Sequence, residues 1–441
     1  MTTAPAGGSI PPDPSSAAMT AAIGYQHDIV RQSRLLRDAM QSDKIRVGCF
    51  LGAGCPSGVY DKDGKKGSPH LPDVSKLTED VRAALESADA GKVDDKKLAP
   101  CWDKLAAACK DGGQVSPNIE HILSELRTLT ARRGTSAVDG LSKDRLEDLD
   151  KAVCDLIVKA VDKPLPAYRC SYHRFASWVG GLQRSAPVDL FTPNYDLLVE
   201  EAFEQQRIPH FDGFVGSREP FFDIASIEQD AIPQRWARLW KLHGSINWQR
   251  RDDGAVFRAQ GPAQQGKAMI YPSHLKYDQS RRLPYLAMID RLRAFFHTTS
   301  LTQRFGPPVL VVCGYSFSDD HLNEVLLDGL RGNQAAHCFA LLYDGLDKAK
   351  TVVSFASEQP NLTVLAWDGA VVGTRKGPYG PLQGTPEESG SWIDTDSIST
   401  GAAAPSTPAV RCRLGDFHHF ALFLEQLYGG MGETDHAAVS S

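Results

Sequence analysis

Six short apolar segments constrain the fold of this 441-residue chain more than any other feature of its sequence. Each has the length of a typical strand, and helical patterns separate several of them, notably at residues 321–330. Strands that alternate with helices pair in parallel, in a sheet that is covered on both faces. We therefore predict an α/β chain with a mostly parallel sheet. The six segments are residues 45–51, 188–191, 238–242, 309–313, 338–343 and 362–366.

The composition between and beyond these segments predicts how the chain is divided. Residues 59–185 are mostly helical in pattern, which indicates a large insertion or lid between the first two strands. Stretches rich in Gly, Pro, Ser or Ala are typical of disordered arms and flexible linkers. The predicted division is a disordered arm (1–24), a main domain with its insertion (25–372), a linker or long surface loop (373–410), a C-terminal docking helix (411–430) and a tail (431–441).

Charge and hydropathy indicate a soluble protein. The net charge is -6, with 42% hydrophobic and 23% charged residues, so the chain as a whole does not attract nucleic acid or an anionic membrane. The first basic residue is Arg31, and no apolar run reaches the length of a membrane span. We therefore expect a cytoplasmic protein that by itself binds neither membrane nor nucleic acid.

The nine cysteines are scattered singly, and no two are spaced as in a zinc-binding Cys-x-x-Cys pair. Several lie inside apolar strands, where a reduced thiol behaves as a small hydrophobic group. We therefore predict no structural metal. Cys55, beside a glycine turn, is the one cysteine whose position suggests a test for reactivity.

Polar clusters follow four of the predicted strands directly. Because ligands in open α/β sheets bind outside the carboxyl ends of the strands, these clusters are expected to converge on one crevice. The four clusters are Gly52-Ala53-Gly54, Asn194-Tyr195-Asp196, the segment 241–245 around His243, and the segment 314–318.

The glycine turn is expected to offer free backbone N–H groups to a pyrophosphate. The pattern is also common in ordinary tight turns, and the third glycine of the usual dinucleotide fingerprint is absent. In the last cluster, Ser316 and Ser318 are candidates to bind phosphate or ribose. Asp319 and Asp320 are expected to begin the next helix.

Asn194 and His243 are the candidate catalytic residues. A neutral carboxamide can hold a ribose hydroxyl or a water beside an oxocarbenium-like centre, and an imidazole can take a proton near neutral pH. The alternatives are an Asx turn or helix cap at Asn194 and Asp196, and a structural histidine at His243. Asp344, which ends the fifth strand, is either a ribose contact or a turn aspartate.

Five motifs in this order resemble the sirtuin-like NAD-consuming domains of bacterial antiviral systems. The resemblance covers most of residues 45–372 and implies a Rossmann-like fold, NAD+ as the substrate, and Asn194 with His243 as the catalytic pair. The motifs are Gly-Ala-Gly-Cys at 52–55, Asn-Ile-Glu-His at 118–121, Thr-Pro-Asn-Tyr-Asp at 192–196, Lys-Leu-His-Gly-Ser at 241–245 and Gly-Tyr-Ser-Phe-Ser-Asp-Asp-His at 314–321. The residues expected to bind the dinucleotide are Gly52, Ala53, Gly54, Cys55, Thr192, Asp196, Gly314, Tyr315, Ser316 and Asp344.

Three later segments are similar to the subgroup that works with a HerA-type ATPase, the Nezha pair. They are residues 271–277, 284–285 and 415–417. This similarity implies a homo-oligomer that assembles with a hexameric ATPase in antiphage defence.

Within this resemblance, the chain differs from deacylase sirtuins. Those enzymes have glutamine before the motif asparagine, isoleucine after it, and a zinc module. Here Pro193 and Tyr195 flank Asn194, and cysteine pairs are absent. We therefore predict an NAD+ glycohydrolase that acts without a metal and depletes NAD+. The alternatives are an NAD-dependent deacylase, an NAD- or ADP-ribose-binding structural or sensor subunit of an ATPase–nuclease assembly, and a nuclease, for which the sequence shows no clearly spaced acidic cluster.

Overall fold

The structure is a computed structural model that describes residues 25–429 with several gaps. The predicted arm 1–24, the tail 431–441 and the segment 271–277 lie outside the described residues. The gaps are residues 113–116, 133–140, 182–183, 229–231, 234, 252, 254, 262–266, 270–283, 298–304, 383–389 and 396–408.

The described elements follow in chain order. The helices are α1 (Ile29–Gln41), α2 (Val74–Ala88), α3 (Ala99–Asp111), α4 (Ile119–Arg132), α5 (Lys143–Val161), α6 (Ser171–Gly181), α7 (Leu198–Gln205), α8 (Ile224–Glu228), α9 (Tyr285–Phe296), α10 (Asp320–Gly332), α11 (Lys350–Glu358) and α12 (Phe417–Gly429). The strands are β1 (Ile45–Leu51), β2 (Asp189–Thr192), β3 (His210–Phe211), β4 (Phe214–Val215), β5 (Phe221–Phe222), β6 (Ala237–Lys241), β7 (Gly244–Arg250), β8 (Val256–Arg258), β9 (Lys267–Met269), β10 (Gly306–Cys313), β11 (His337–Leu341), β12 (Leu362–Leu365), β13 (Gly369–Val372), β14 (Arg375–Pro378), β15 (Ile393–Thr395) and β16 (Val410–Cys412).

A nine-stranded sheet forms the centre of the described part of the chain, in the order β14-β13-β12-β11-β10-β1-β2-β6-β3. The strands from β12 to β3 pair in parallel, and β13 and β14 add an antiparallel edge. The prediction of an α/β chain with a mostly parallel sheet is thus confirmed. All six strands predicted from apolar segments lie in this sheet.

Both faces of the central sheet are covered. Alternate side chains of β1 enter different cores, so that Cys49 packs with α6 and α12 on one face while Phe50 packs with α9 and α10 on the other. This two-sided burial explains why the central strands are mainly apolar and do not alternate regularly with polar residues. All nine cysteines are buried and free, in agreement with their interpretation as core residues.

Helices α2 to α6 lie within the range 59–185, and α2 to α5 form a third core of their own. Asp73 caps the start of α2 and Ser142 that of α5, each by accepting a backbone N–H bond. Tyr195, Leu197 and Ile246 pack against this core. The helical layer therefore lies against the ends of β2 and β6.

The C-terminal part of the described chain returns to the main body. Helix α12 packs against α6 and against the short 3-10 helix Cys55–Gly58 that follows β1. A Cβ atom on Gly58 would lie 2.7 Å from the Cβ of Phe417, so this approach depends on glycine. Strands β14 and β15 lie within the range 373–410, for which the sequence predicts a linker or loop.

None of the described helices combines the length and the apolar composition that a bilayer span requires.

Candidate functional site at the carboxyl ends of the strands

The four predicted polar clusters follow four adjacent strands, β10, β1, β2 and β6. Leu51 at the end of β1 lies opposite Cys313 of β10, and Thr192 at the end of β2 lies opposite Lys241 of β6. Gly52, Gly314, Asn194 and His243 therefore emerge side by side at one edge of the sheet. The predicted convergence of these residues at one edge of the sheet is observed, while their part in a binding site remains a prediction.

The two glycine-containing loops touch each other directly. A Cβ atom on Gly52 would lie 2.3 Å from the carbonyl oxygen of Gly314, and one on Gly314 would lie 2.6 Å from the backbone nitrogen of Cys55. Gly314 also has a φ of +67°, which side chains other than glycine rarely adopt. The glycines are thus needed to bring the ends of β1 and β10 together, whatever they bind.

The backbone N–H groups of the glycine turn are largely used within the protein. Gly52 donates to Cys313 O at 2.9 Å, Gly54 to Gly314 O at 2.8 Å, and Cys55 to Gly52 O at 3.1 Å. The expectation of free N–H groups for a pyrophosphate is therefore wrong for these three residues. Ala53 and Gly54 are exposed, so the outer surface of the turn is the part that can meet a ligand.

Cys55 lies beneath this turn and is fully buried. Burial raises the pKa of its thiol well above the usual range, and the neighbouring Cys313 adds to the effect. The thiol donates a hydrogen bond to Cys313 O at 3.3 Å. A thiol that remains protonated is a poor nucleophile, so the suggestion that Cys55 is reactive is not supported by its environment.

Asn194 is half-buried and is held against the end of β1. Its side-chain Nδ2 donates to Gly52 O at 3.1 Å, and its backbone N–H donates to Thr192 Oγ1 at 3.1 Å. The Thr192 hydroxyl in turn donates to Leu51 O at 2.7 Å. The Thr192 hydroxyl and the bond from Asn194 Nδ2 to Gly52 O therefore fix the position of the Asn194 carboxamide relative to the glycine turn.

Asp196 is buried and contacts the start of α7, where its Oδ1 accepts the N–H of Leu198 at 3.1 Å. Burial raises the pKa of this carboxyl, and the positive charge of Lys241 opposes the shift. The Asx-turn alternative is thus observed for Asp196, which precedes the N-cap residue Leu197, while its contact with a ribose or nicotinamide remains a prediction.

Lys241 is a feature that sequence reasoning did not assign. Its side chain is 2% exposed; Nζ lies 3.2 Å from Glu200 Oε1 and donates to the backbone carbonyl of Asp196. A lysine at the end of a strand that is buried along its whole length was the available signal. Because a buried charge requires partners, such a residue indicates a fixed polar network beside the site.

His243 lies two residues beyond β6, and its imidazole faces a carboxylate from another loop. Its Nε2 is 3.2 Å from Asp319 Oδ2, and the two side chains are 9% and 10% exposed. The predicted place of Asp319 at the start of a helix is confirmed, since its Oδ1 accepts the N–H of Leu322 at 3.3 Å. Its second contact, with His243, could not be found from sequence because the two residues are distant along the chain.

The loop that carries Asp319 has a buried and an exposed side. Tyr315 is buried, and its hydroxyl, which has one proton to donate, lies 3.2 Å from Asp319 O and 3.1 Å from Asn323 Oδ1. Ser316 and Ser318 are exposed, with their Oγ atoms 2.8 Å apart. Tyr315 therefore supports the loop, while the two serines are the side chains that it presents to solvent.

Asp344 lies at the edge of a cavity of about 580 Å³ beside the ends of β11 and β12. Its Oδ1 accepts a hydrogen bond from Lys348 Nζ at 2.9 Å. The cavity lies beside strand β11, which is the neighbour of β10, the outermost of the four strands that carry the polar clusters. Its wall includes Tyr343, Asp344, Trp367, Asp368, Asp416 and His419.

The C-terminal segment completes this cavity, which the sequence did not indicate. Asp416 accepts the hydroxyl of Tyr60 at 2.7 Å and pairs with Lys66 Nζ at 3.2 Å. Lys66 Nζ also donates to the hydroxyl of Tyr343 at 3.0 Å. The segment that follows the glycine turn is thus joined to the C-terminal segment across the cavity.

Among the described residues, no group of three or more His, Cys, Asp or Glu side chains is placed to hold a metal ion.

Comparisons with known proteins give a class for the central part of the chain. Residues 188–364 match the family described as "SIR2-like domain". This range contains Asn194, His243, the loop 314–319 and Asp344, and it does not include the glycine turn. The chain is thus similar to the SIR2-like domain over the strands that carry both candidate catalytic residues.

A match among solved structures is described as "Structural Basis for the Mechanism and Regulation of Sir2 Enzymes". It has 13% sequence identity and a TM-score of 0.29, and the alignment covers 73% of this chain and 87% of that chain. At this score the likeness carries no argument about the site. No curated protein matches the chain.

Proposed function

We propose that this protein is an NAD+ glycohydrolase, which releases nicotinamide and ADP-ribose. The observation that carries the proposal is the placement of Asn194 and His243 at the ends of neighbouring strands, each fixed by a contact from another loop. The match of residues 188–364 to the SIR2-like domain supports NAD+ as the substrate.

The chemistry requires a polar but uncharged group near the ribose and a group that moves a proton. Loss of nicotinamide leaves an oxocarbenium-like ribosyl centre, which water attacks. The Asn194 carboxamide can orient that water or a ribose hydroxyl without adding a charge, because the hydrogen bonds that Asn194 donates to Thr192 and Gly52 hold it in place. His243 can accept the proton that water releases.

The arrangement of the strand ends also suggests where the phosphates and the adenosine of NAD+ would lie. Exposed serine hydroxyls and the outer surface of the glycine turn lie between the candidate catalytic pair and the cavity at β11 and β12. The rings of Tyr343 and Trp367 offer stacking surfaces for a base, and the Asp344 carboxylate can accept ribose hydroxyls. We therefore place the adenosine end of NAD+ in the cavity, with Asp344 at the ribose.

The wider biological role is a further part of the proposal. The resemblance of the five motifs to antiviral NAD-consuming domains supports an effector of antiphage defence that depletes NAD+. The similarity of residues 284–285 and 415–417 to HerA-associated proteins supports a homo-oligomer in complex with a hexameric ATPase. Co-purification of the two proteins, followed by measurement of the mass of the complex, tests this assembly.

The decisive experiment measures nicotinamide release from NAD+ by the purified chain, alone and with its ATPase partner. We expect release in at least one of the two states, with no requirement for an acyl-lysine peptide, and no loss of activity of this chain in EDTA. Deacylation that depends on an acyl-lysine peptide would favour a deacylase. Binding of NAD+ or ADP-ribose without release in either state would favour the sensor or structural role.

A further inference from the structure

A largely covered carboxylate, that of Asp319 with its side chain 10% exposed, faces the candidate catalytic histidine. His243 follows β6 and Asp319 precedes α10, and the strands that lead to them, β6 and β10, are separated by β2 and β1. Three strand spacings correspond to about 14 Å. The segments after β6 and β10 must therefore together span the ends of β1 and β2 to bring Oδ2 of Asp319 within 3.2 Å of Nε2 of His243.

This contact fixes the form of the imidazole. A carboxylate oxygen can only accept a hydrogen bond, so at this 3.2 Å distance Nε2 is placed to donate and to carry the proton. In the neutral ring Nδ1 is then the basic nitrogen. The second oxygen of Asp319 accepts the N–H of Leu322, which anchors the carboxylate to the first turn of α10. The imidazole is thus held by a group whose own position is set by a helix.

We propose that Asp319 is a positioning residue for His243, which selects the tautomer with the proton on Nε2 and so makes Nδ1 the basic nitrogen of the neutral ring. The proposal rests on the proposed function as far as turnover is concerned. The tautomer itself is a property of the resting protein, and it can be measured without any activity.

The alternative is that Asp319 serves only as a helix cap, and the variant D319N separates the two roles. Asparagine caps helices about as well as aspartate, so the variant should remain folded. Its amide has one oxygen. If that oxygen keeps the bond to Leu322, the NH2 group faces His243 Nε2 and favours the opposite tautomer, with the proton on Nδ1.

Asp320 supplies a matched control. It is exposed and opens the same helix, and D320N removes the same charge from the same helix end. A loss of activity through the helix dipole or through net charge would appear in both variants. A loss through the contact with His243 would appear only in D319N.

The first measurement compares kcat and KM for NAD+ hydrolysis in the wild type, D319N and D320N, under the conditions in which the wild type is active. Carboxylate-to-amide changes behind a catalytic histidine reduce turnover by up to about 10⁴-fold. We expect kcat of D319N to fall by about 10²-fold or more with KM changed less than about threefold, and D320N to stay within about twofold of the wild type. A folded D319N protein with the wild-type kcat would overturn the proposal.

The second measurement reads the tautomer from ¹⁵N chemical shifts of labelled histidine, with the His243 signals identified by their absence in H243Q. We expect the proton on Nε2 in the wild type and on Nδ1 in D319N. A wild-type spectrum with the proton on Nδ1 would refute the assignment of Asp319. Absence of nicotinamide release with the proton on Nε2 would instead refute the proposed function and leave the His243–Asp319 pair standing.

Discussion

A Cβ atom on Gly52 would lie 2.3 Å from the carbonyl oxygen of Gly314, so the loops after β1 and β10 meet at backbone distance. This approach holds the glycine turn and the loop that carries Ser316 and Asp319 in one fixed relationship. The crevice at the carboxyl ends of the strands therefore depends on two residues that have no side chain.

Replacement of Gly314 by alanine should lower the free energy of unfolding by more than the cost of placing a non-glycine residue at positive φ. A non-glycine residue at positive φ costs about 1–2 kcal/mol, and a forced close contact typically adds about 1–3 kcal/mol. Gly64 is the matched control, because it has a φ of +72° and a Cβ there would meet nothing within 4 Å. Urea unfolding of G314A and G64A should show the larger loss for G314A. Equal losses would mean that the loop moves apart at little cost.

Replacement of Asn194 by alanine should abolish nicotinamide release while the fold is retained. Loss of one preorganised polar contact of this kind typically costs about 2.7–4 kcal/mol in the transition state. Asn333 offers a control, since its half-buried amide donates to Phe296 O at 2.7 Å, much as that of Asn194 donates to Gly52 O. N333A should lose stability without a loss of turnover. Near-wild-type turnover in a folded N194A protein would exclude the assigned site.

His243→Gln should lower kcat more than it weakens NAD+ binding. If His243 is the base, turnover of the wild type falls as the pH drops and the imidazole is protonated. Glutamine can hydrogen-bond but cannot titrate, so this acid limb should be absent from the pH profile of H243Q. Equal losses in binding and turnover would assign His243 to ribose binding or to structure.

Acid should weaken the folded state through His418 on α12. Burial, with repulsion from His419, lowers the pKa of His418 from 6.5 to about 4. As the pH falls below 6.5, the unfolded chain therefore binds a proton before the folded chain does, and the free energy of unfolding decreases down to about pH 4. The stability that depends on a neutral His418 is fully present above pH 6.5.

The variant H418F tests this origin of the acid sensitivity. The imidazole of His418 stacks on Tyr60 with ring centroids 4.1 Å apart, and phenylalanine retains an aromatic ring there without a titrating group. The free energy of unfolding should fall less between pH 7 and pH 5 in H418F than in the wild type. An identical fall in both proteins would assign the acid sensitivity to other groups, of which the neighbouring His419, whose pKa is also lowered, is the first candidate.

Local sequence is enough to define the strands of the central sheet and the polar residues that follow them. A buried strand is a short apolar run, and the residues after it necessarily emerge at its carboxyl end. For this reason the amino-acid sequence alone assigns Gly52, Asn194, His243 and Gly314 to one crevice. The position of Asp319 at the start of α10 is predictable on the same basis.

The contacts that these residues make depend on the tertiary fold. The N–H groups of Gly52, Gly54 and Cys55 are occupied by backbone carbonyls. Cys55 is buried beneath the turn, and Asp319 reaches His243. Each of these contacts joins segments whose proximity is set by the order of strands in the sheet and by the loops that cross it. A hydrophobic pattern indicates which residues are buried, but it does not indicate which of them contact one another.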